Sequence, residues 1–467
     1  MASVSWIGRL FGVKPKPAPL NGSDFELRAR IFPADTEMEL RFVARSRWAK
    51  KNLHRVEVGY IRDDARYMHG DPGELHPGDN DYEKLPHRVE GDTIVVPHVI
   101  LRGEFRHAFV IDPPVGNWRQ RHAPYPVMSL APDIFGLRPY KGGIHQHSSV
   151  SDGKGTPSQH VGYARAAGFD FVSVTDHAKY AQNAEAIAFA AESGSGLAVY
   201  TGEEMHSPDT VLHSICLGAS GPMSRLVRDE EFLRDTAPML AELKARFPEA
   251  AELELQCAAE ARWLCERARK SGARLLVYCH PQWIRRSRIH AFPLFNELML
   301  REGDFDAIEA INGYAGKPSH RNMVNAAMLY EMAAETGRKR AFTYGSDSHK
   351  PATEWFYKRN WNLFFGPDAS LDSFCDAVKS FHSVCGVADR EGETLFYGPT
   401  RFVSYARFLR DIDFFGEHDR LAAKQAELLL DYCAGRKSLK PEIEELAREI
   451  TASTERYFWS ASASALK

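Results

Sequence analysis

Lys141-Gly-Gly-Ile-His145-Gln-His147-Ser-Ser-Val-Ser-Asp152 is the stretch from which the fold is read. Side chains alternate along an extended segment, so His145 and His147 leave the same face and form a clamp for one metal ion. Asp152 follows five residues later on the next loop, ahead of Gly153. Thr156 as cap and Pro157 at the first position predict a helix from there. A His-x-His pair also decorates many surface strands, so the pair alone does not define a site.

The pattern around it does. Apolar runs that read as buried strands each meet a metal-ligand type: Phe171–Thr175 before Asp176-His177, Leu197–Thr201 before Gly202-Glu203-Glu204, and Val211-Leu212 before His213. Leu275–Cys279 leads to His280-Pro281, and Ala341–Tyr344 to Gly345-Ser346-Asp347-Ser348-His349. Buried parallel strands are apolar throughout, and a ring of them brings its C-terminal ends to one mouth. Ligands placed there converge without being close in sequence.

Together His145-x-His147, Ser151-Asp152-Gly153, Thr175-Asp176-His177, Gly202-x-Glu204, His213, His280-Pro281 and Asp347-x-His349 resemble the PHP (polymerase and histidinol phosphatase) domain. The match spans residues 140 to 390. The resemblance implies an α/β fold, a distorted (β/α)7 barrel, with two or three divalent metal ions, Mn, Zn or Fe. It implies that His145, His147, Glu204 and Asp347 hold a first ion. Glu204 then bridges to a second held by His213 and His280, and Asp152, His177 and His349 hold a third. Glu203 is the alternative to Glu204 as bridge, and His206 competes with His213. The opening Tyr140-Lys141-Gly-Gly-Ile-His is similar to the carbaryl-hydrolase-like branch of the family.

The 467 residues allow two or three domains and a large core. A net charge of -3 gives no general electrostatic reason to expect nucleic acid or an anionic membrane as partner. The seven cysteines lack pair spacing and read as reduced, buried residues of a cytoplasmic protein. Residues 5–13 are apolar but short and carry Arg9, so they read as a packing arm rather than a signal or a membrane span; a membrane-surface anchor is the alternative. The Pro-rich residues 14–19 read as an extended linker.

The division expected is an arm and linker at 1–21, a β-sandwich at 22–115, a connector at 116–139, the barrel at 140–395 and helices at 396–467. Period-two alternation at Phe25, Leu27, Ala29 and Ile31, at Met38, Leu40 and Phe42, and at Val56, Val58 and Tyr60 supports the sandwich, as do Thr93–Ile100 and Phe105–Ile111. Arg62–His87 reads as a long loop, and its histidines 69, 76 and 87 have no rigid element to make them a metal cluster. Arg119–Pro139, with four prolines, reads as the connector. Residues 230–272 suggest two inserted helices. Ser319–Thr336 suggests one more, with Met323, Ala327, Tyr330 and Ala334 as its stripe and Gly337 as its stop. Glu309, on the apolar run Ala307–Ile311, needs a buried partner and serves either the ligands or the core. Leu371–Phe381 reads as a helix after His349. Beyond residue 400, three stripes (Val403, Ala406, Phe408, Leu409; Leu421, Leu428, Leu429, Tyr432; Ile443, Leu446, Ala447, Ile450) read as helices covering the barrel, with a homo-oligomer contact as a second use. There is no internal repeat, Gly-rich phosphate loop or Ser-His-Asp order.

Imidazole and carboxylate donors without thiolate leave bound ions Lewis acidic. The expected chemistry is a metal-bridging hydroxide attacking an ester, with Glu204 and His280 at the reacting centre and Asp176 orienting or moving a proton. Lys179, Arg285, Arg286 and Lys350 near the mouth suit a small anionic substrate. Three readings follow: a phosphoesterase; a carbamate, ester or amide hydrolase on the same metals; and a non-catalytic PHP module, which nine aligned ligand types argue against. A phosphate pocket would present Arg285, Arg286, Lys317, Arg321 or Lys350. An apolar ester pocket would be lined by Trp283, Phe292, Phe295, Tyr314 and Trp355.

Overall fold

A computed structural model describes residues 24–62, 82–112, 124–208, 213–281, 284–285, 288–289, 293–313, 327, 329–388 and 394–460. The arm and linker at 1–21, His69 and His76, and the lining candidates Trp283, Arg286, Phe292, Tyr314, Lys317 and Arg321 lie outside the described residues. The chain divides into two units, Met1–Gly136 with Thr454–Lys467, and Leu137–Ser453.

Among the described residues the first unit carries nine strands: β1 Phe25–Glu26, β2 Ile31–Pro33, β3 Glu37–Ala44, β4 Glu57–Arg62, β5 Glu83–Leu85, β6 Arg88–Glu90, β7 Thr93–Ile100, β8 Arg106–Asp112 and β9 Tyr125–Leu130. They form two sheets, ordered β1-β3-β7-β6 and β2-β9-β8-β4-β5. Met38, Leu40 and Phe42 point inward from β3 as alternation dictates. Phe42 packs edge-on against Phe109 and Tyr125 of the other sheet, with ring centroids 5.9 and 5.5 Å apart. Two sequence expectations change here. The Phe25–Ile31 alternation is broken at residues 27–30, because β1 and β2 join different sheets. Tyr125–Leu130, inside the expected connector, is a strand; its Pro126 stands opposite Ala108 of β8 and precedes Met128–Leu130, the residues that pair with β2, so its missing N–H falls outside the β2 ladder.

In the second unit the strands are β10 Arg138–Gly143, β11 Phe171–Ser173, β12 Ala198–Tyr200, β13 Gly202–Met205, β14 Ser214–Leu217, β15 Leu275–Tyr278, β16 Ile284–Arg285, β17 Arg288–Ile289, β18 Ala307–Asn312, β19 Ala341–Gly345, β20 Asn360–Gly366, β21 Ser383–Ala388 and β22 Thr394–Tyr397. Among the described residues they make two large sheets and no closed ring of ladders: β12-β11-β10-β20-β21-β22 and β13-β14-β15-β18-β19, besides the β16-β17 pair. Two isolated bridges, His177 with Glu204 and Gln146 with Ser348, join the sheets at the end where the histidines gather.

The strands are not all parallel. β14 runs antiparallel to β13 and β15. Only residues 206–213 separate β13 from β14, too few for the crossover a parallel neighbour needs. Val211 and Leu212, the run read before His213, lie outside the described residues; His213 stands just ahead of β14, and antiparallel entry brings it to the same mouth.

Helices Glu230–Arg246 and Glu252–Lys270 fill the expected insertion and cover the second sheet. Residues 329–336 are helical, but Ala327, Tyr330 and Ala334 are exposed while Leu329 and Met332 are buried. The apolar face is thus rotated from the stripe read in sequence, and Met323 lies outside the described residues. Gly337 stops this helix with φ +65°. The three C-terminal helices are Thr400–Asp411, Phe414–Cys433 and Lys440–Glu455. Buried Lys141 on β10 meets Asp419 of the second at 2.7 Å, and His418 Nε2 lies 2.8 Å from Asp170 Oδ1. No helix among the described residues is long and apolar enough to cross a membrane.

Candidate metal centre

Strand ends build the centre. His145 and His147 follow β10, with rings 5.4 Å apart. Asp152 lies on the next loop, exposed, before the Pro157–Ala166 helix, whose Thr156 cap accepts from the Gln159 N–H as the sequence predicts. Gly153 turns this loop so closely under His147 that a Cβ would stand 1.9 Å from the His147 carbonyl oxygen. His177 follows β11, His280 follows β15, and Asp347 with His349 follows β19. His280 and Asp347 take positive φ, +28° and +49°, strained backbone for side chains of this kind.

Glu204 sits at the middle. Its Oε1 lies 2.8 Å from His213 Nδ1, 3.3 Å from His280 Nε2 and 3.4 Å from His145 Nε2. Its Oε2 lies 2.5 Å from His177 Nδ1 and 3.5 Å from His147 Nε2. Asp347 Oδ1 faces His147 Nε2 at 3.1 Å and His145 Nε2 at 3.5 Å. Asp152 faces His349 Nε2 at 3.3 Å and His177 Nε2 at 3.7 Å. All nine sequence-read ligands therefore meet in one cluster. With His206, Cys279 and Glu309 added, the ligand-capable atoms group as His147, Asp152, His177 and His349; as His177, Glu204, His206 and His213; as His145, His280 and Asp347; as His145, Cys279 and Glu309; and as His145, His147 and Glu204. His213 and His280 also share Glu204 Oε1, with ring centroids 5.4 Å apart, as the division the resemblance implies has them.

Glu203 faces the other way, as its place next to Glu204 on β13 requires. It accepts from the Met223 and Ser224 N–H groups at 2.6 and 3.1 Å. Glu309 supports the ligands: Oε1 lies 2.8 Å from His145 Nδ1, and Oε2 accepts from the His280 N–H at 2.7 Å and from Asn312 Nδ2 at 2.9 Å. Asp176 is buried, and both its oxygens are engaged by Ser148 and Ser151, whose hydroxyls donate at 2.6 and 2.5 Å.

Burial disfavours a charged His145, but Glu309, Glu204 and Asp347 outweigh it and hold its pKa well above the usual histidine range. Burial also raises Glu204 and Asp347, yet the imidazoles prevail: His213 and His145 hold Glu204 well below its usual range, and His145 and His147 do so for Asp347. Desolvation lowers His147 and His213, and lowers His206 to about 3 with help from His213. The centre thus keeps its carboxylates charged and part of its imidazoles neutral, the states a cation needs. One observation tests the fit of a metal. His145 Nε2 is buried and has no hydrogen-bond partner, while its other nitrogen is taken by Glu309. A nitrogen so oriented between two carboxylates suits a cation.

Around the mouth, Lys350 and Lys179 are exposed. Lys154, which the sequence reading passed over, is also exposed, and its N–H donates to the His349 carbonyl at 2.7 Å. Arg285 lies on β16, with its side chain outside the described residues. Of the apolar-pocket set, Phe295 is a core residue and Trp355 is half-buried against Phe356.

No family model and no curated protein matches the chain. Several solved structures are similar. One is a two-domain protein from Bacteroides vulgatus containing a predicted PHP-like metal-dependent phosphoesterase: 18% identity, 55% of this chain and 67% of that one, TM-score 0.37. A candidate metal-dependent phosphoesterase from Bifidobacterium adolescentis has 20% identity over 44% of this chain and 87% of that one, TM-score 0.30. An amidohydrolase from Chromobacterium violaceum, with bound sulfate and no metal, has 20% identity over 45% and 88%, TM-score 0.29.

Proposed function

We propose that the chain is a metal-dependent hydrolase of the PHP type, acting on phosphoesters. The observation that carries this is the convergence on buried Glu204 and Asp347 of imidazoles from separate strand ends, with His145 Nε2 left free of hydrogen bonds. The two bridges that link the sheets support reading the second unit as a distorted barrel. The two sheets sharing one core support a sandwich for the first. Seven free cysteines, six of them buried, fit a reducing, cytoplasmic setting.

Divalent ions held by these residues would supply Lewis acidity and would lower the pKa of bound water toward neutrality. His145, His147, Asp152, His177, Glu204, His213, His280, Asp347 and His349 are the residues that would hold them. Glu204 offers its two oxygens to different histidines, which suits a bridge. Glu309 keeps the His145 Nδ1 proton and the His280 backbone in place. Asp176 fastens the loop bearing Asp152 through Ser148 and Ser151. Exposed Lys154, Lys179 and Lys350 stand within two residues of Asp152, His177 and His349, which favours an anionic substrate over a neutral ester.

The test is turnover of phosphomonoesters, phosphodiesters, aryl esters and carbamates after reconstitution with Mn, Zn or Fe. The proposal expects metal-dependent release of phosphate or alcohol from a phosphoester. Turnover confined to carbamates or carboxylic esters would overturn the substrate class, and metal-independent turnover would overturn the mechanism.

A further inference from the structure

His206 stands outside the nine positions that carry the resemblance, yet it is inside the cluster. Its Nε2 lies 2.8 Å from His177 Nδ1, and its ring centroid lies 3.8 Å from that of His213. Two imidazole nitrogens at that distance share one proton at most. His177 Nδ1 also approaches Glu204 Oε2 at 2.5 Å, but off the line a ring N–H needs, so that fully buried oxygen has no hydrogen-bond partner. Three imidazoles and one carboxylate have ligand-capable atoms all within 4.8 Å of one another, and with His213 Nδ1 on Glu204 Oε1 and one proton between His177 and His206, Glu204 Oε2 is still left unserved.

The backbone holds His206 there. Its N–H donates to Ser224 Oγ at 2.9 Å, and its carbonyl accepts from the Arg225 N–H at 3.0 Å. Glu203 in turn accepts from the Met223 and Ser224 N–H groups. Of the adjacent glutamates on β13, Glu204 enters the group and Glu203 fastens the loop that fixes its neighbouring histidine.

We infer that His206 is a metal ligand, completing with His177, Glu204 and His213 a four-donor site of the kind that takes Zn or Co in tetrahedral coordination. This rests on the metallohydrolase reading and adds a donor to it, with His177 turned toward Glu204. The site takes a borderline divalent cation, since its donors are imidazole and carboxylate.

The experiment is titration of the metal-free full chain with Co2+, followed by absorption spectroscopy, for wild type, His206→Gln and His206→Cys. His206 is half-buried at a loop, and circular dichroism checks the fold of each variant. Expected are ligand-field bands of tetrahedral cobalt in wild type and a loss of about tenfold or more in the affinity of one equivalent in His206→Gln. A near-ultraviolet thiolate-to-cobalt charge-transfer band is expected in His206→Cys, because a cysteine gives that band only where it binds the ion. A folded His206→Cys without the band, together with an unchanged His206→Gln titration, would overturn the inference and leave the metallohydrolase reading intact. Folded wild type that takes up no cobalt would overturn both.

Discussion

His145 has its two nitrogens in different surroundings, one against Glu309 and one facing Glu204 and Asp347. A carboxylate on the far nitrogen fixes the tautomer and sharpens ring orientation. Glu309→Gln is accordingly expected to weaken metal binding about 10–100-fold with the fold retained, measured by competition with a chromogenic chelator. Unchanged affinity would reduce Glu309 to a core residue. The same carboxylates set a pH dependence. Because the His145 pKa is raised, the metal-free chain holds a proton there near neutrality, and a cation must displace it. Metal binding at pH 7 should release protons, and affinity should rise with pH through that pKa. Calorimetry in two buffers of different ionisation enthalpy reads the release, and identical enthalpies would contradict it. Donor types at strand ends were legible in the chain itself, because metal chemistry restricts them to few residues. The way Glu309 faces was not, since a buried carboxylate in an apolar run is equally a structural anchor until its partners are seen.

At the level of elements, β18 and β19 pair with a bulge between Glu309 and Ile311. Across the pair, a Cβ on Gly345 would stand 1.4 Å from Glu309 Oε1. Only glycine leaves room for that carboxylate. Gly345→Ala should therefore reproduce the loss of metal affinity of Glu309→Gln, read by the same chelator competition. Retained affinity would mean that Glu309 acts from elsewhere. Alternation on β13 gives a second expectation: Glu204→Gln should cost more metal than Glu203→Gln, and the reverse ranking would exchange their roles. Strand positions were readable because buried runs such as Leu275–Tyr278 are apolar throughout. Direction was not, and β14 shows why. Whether a short run turns back or crosses over depends on the length of its connection, here residues 206–213. The helical stripe at 329–336 was misplaced for a related reason, since small residues such as Ala327 and Ala334 satisfy either face.

Across the second unit, a polar network ties the Phe414–Cys433 helix to β10 and the Pro157–Ala166 helix: His418 with Asp170 and Asp419, Lys141 with Asp419, and Arg165 with Asp170. Burial lowers His418, but Asp170 and Asp419 outweigh it and raise its pKa; burial raises Asp170 and Asp419, but His418 and Lys141 lead in lowering them. The histidine contribution is complete below its unfolded value of about 6.5 and fades as pH rises through its folded value. The carboxylate contributions are complete above about 3.9 and fade as pH falls. His418→Gln should thus cost about 1.5–3 kcal/mol between roughly pH 4 and 6.5, and less above, seen as a difference in Tm that narrows with rising pH. A difference that widens with pH would contradict the charge assignment. Sequence periodicity forecast the C-terminal helices but not their attachment, which depends on polar residues more than two hundred positions apart. The account as a whole stands on one measurement: metal content of the purified, reconstituted chain beside His145→Ala and Asp347→Ala. It predicts two or three divalent ions per wild-type chain and a loss in both variants with circular dichroism unchanged. Wild-type protein that binds none, or variants that bind as many, would contradict it.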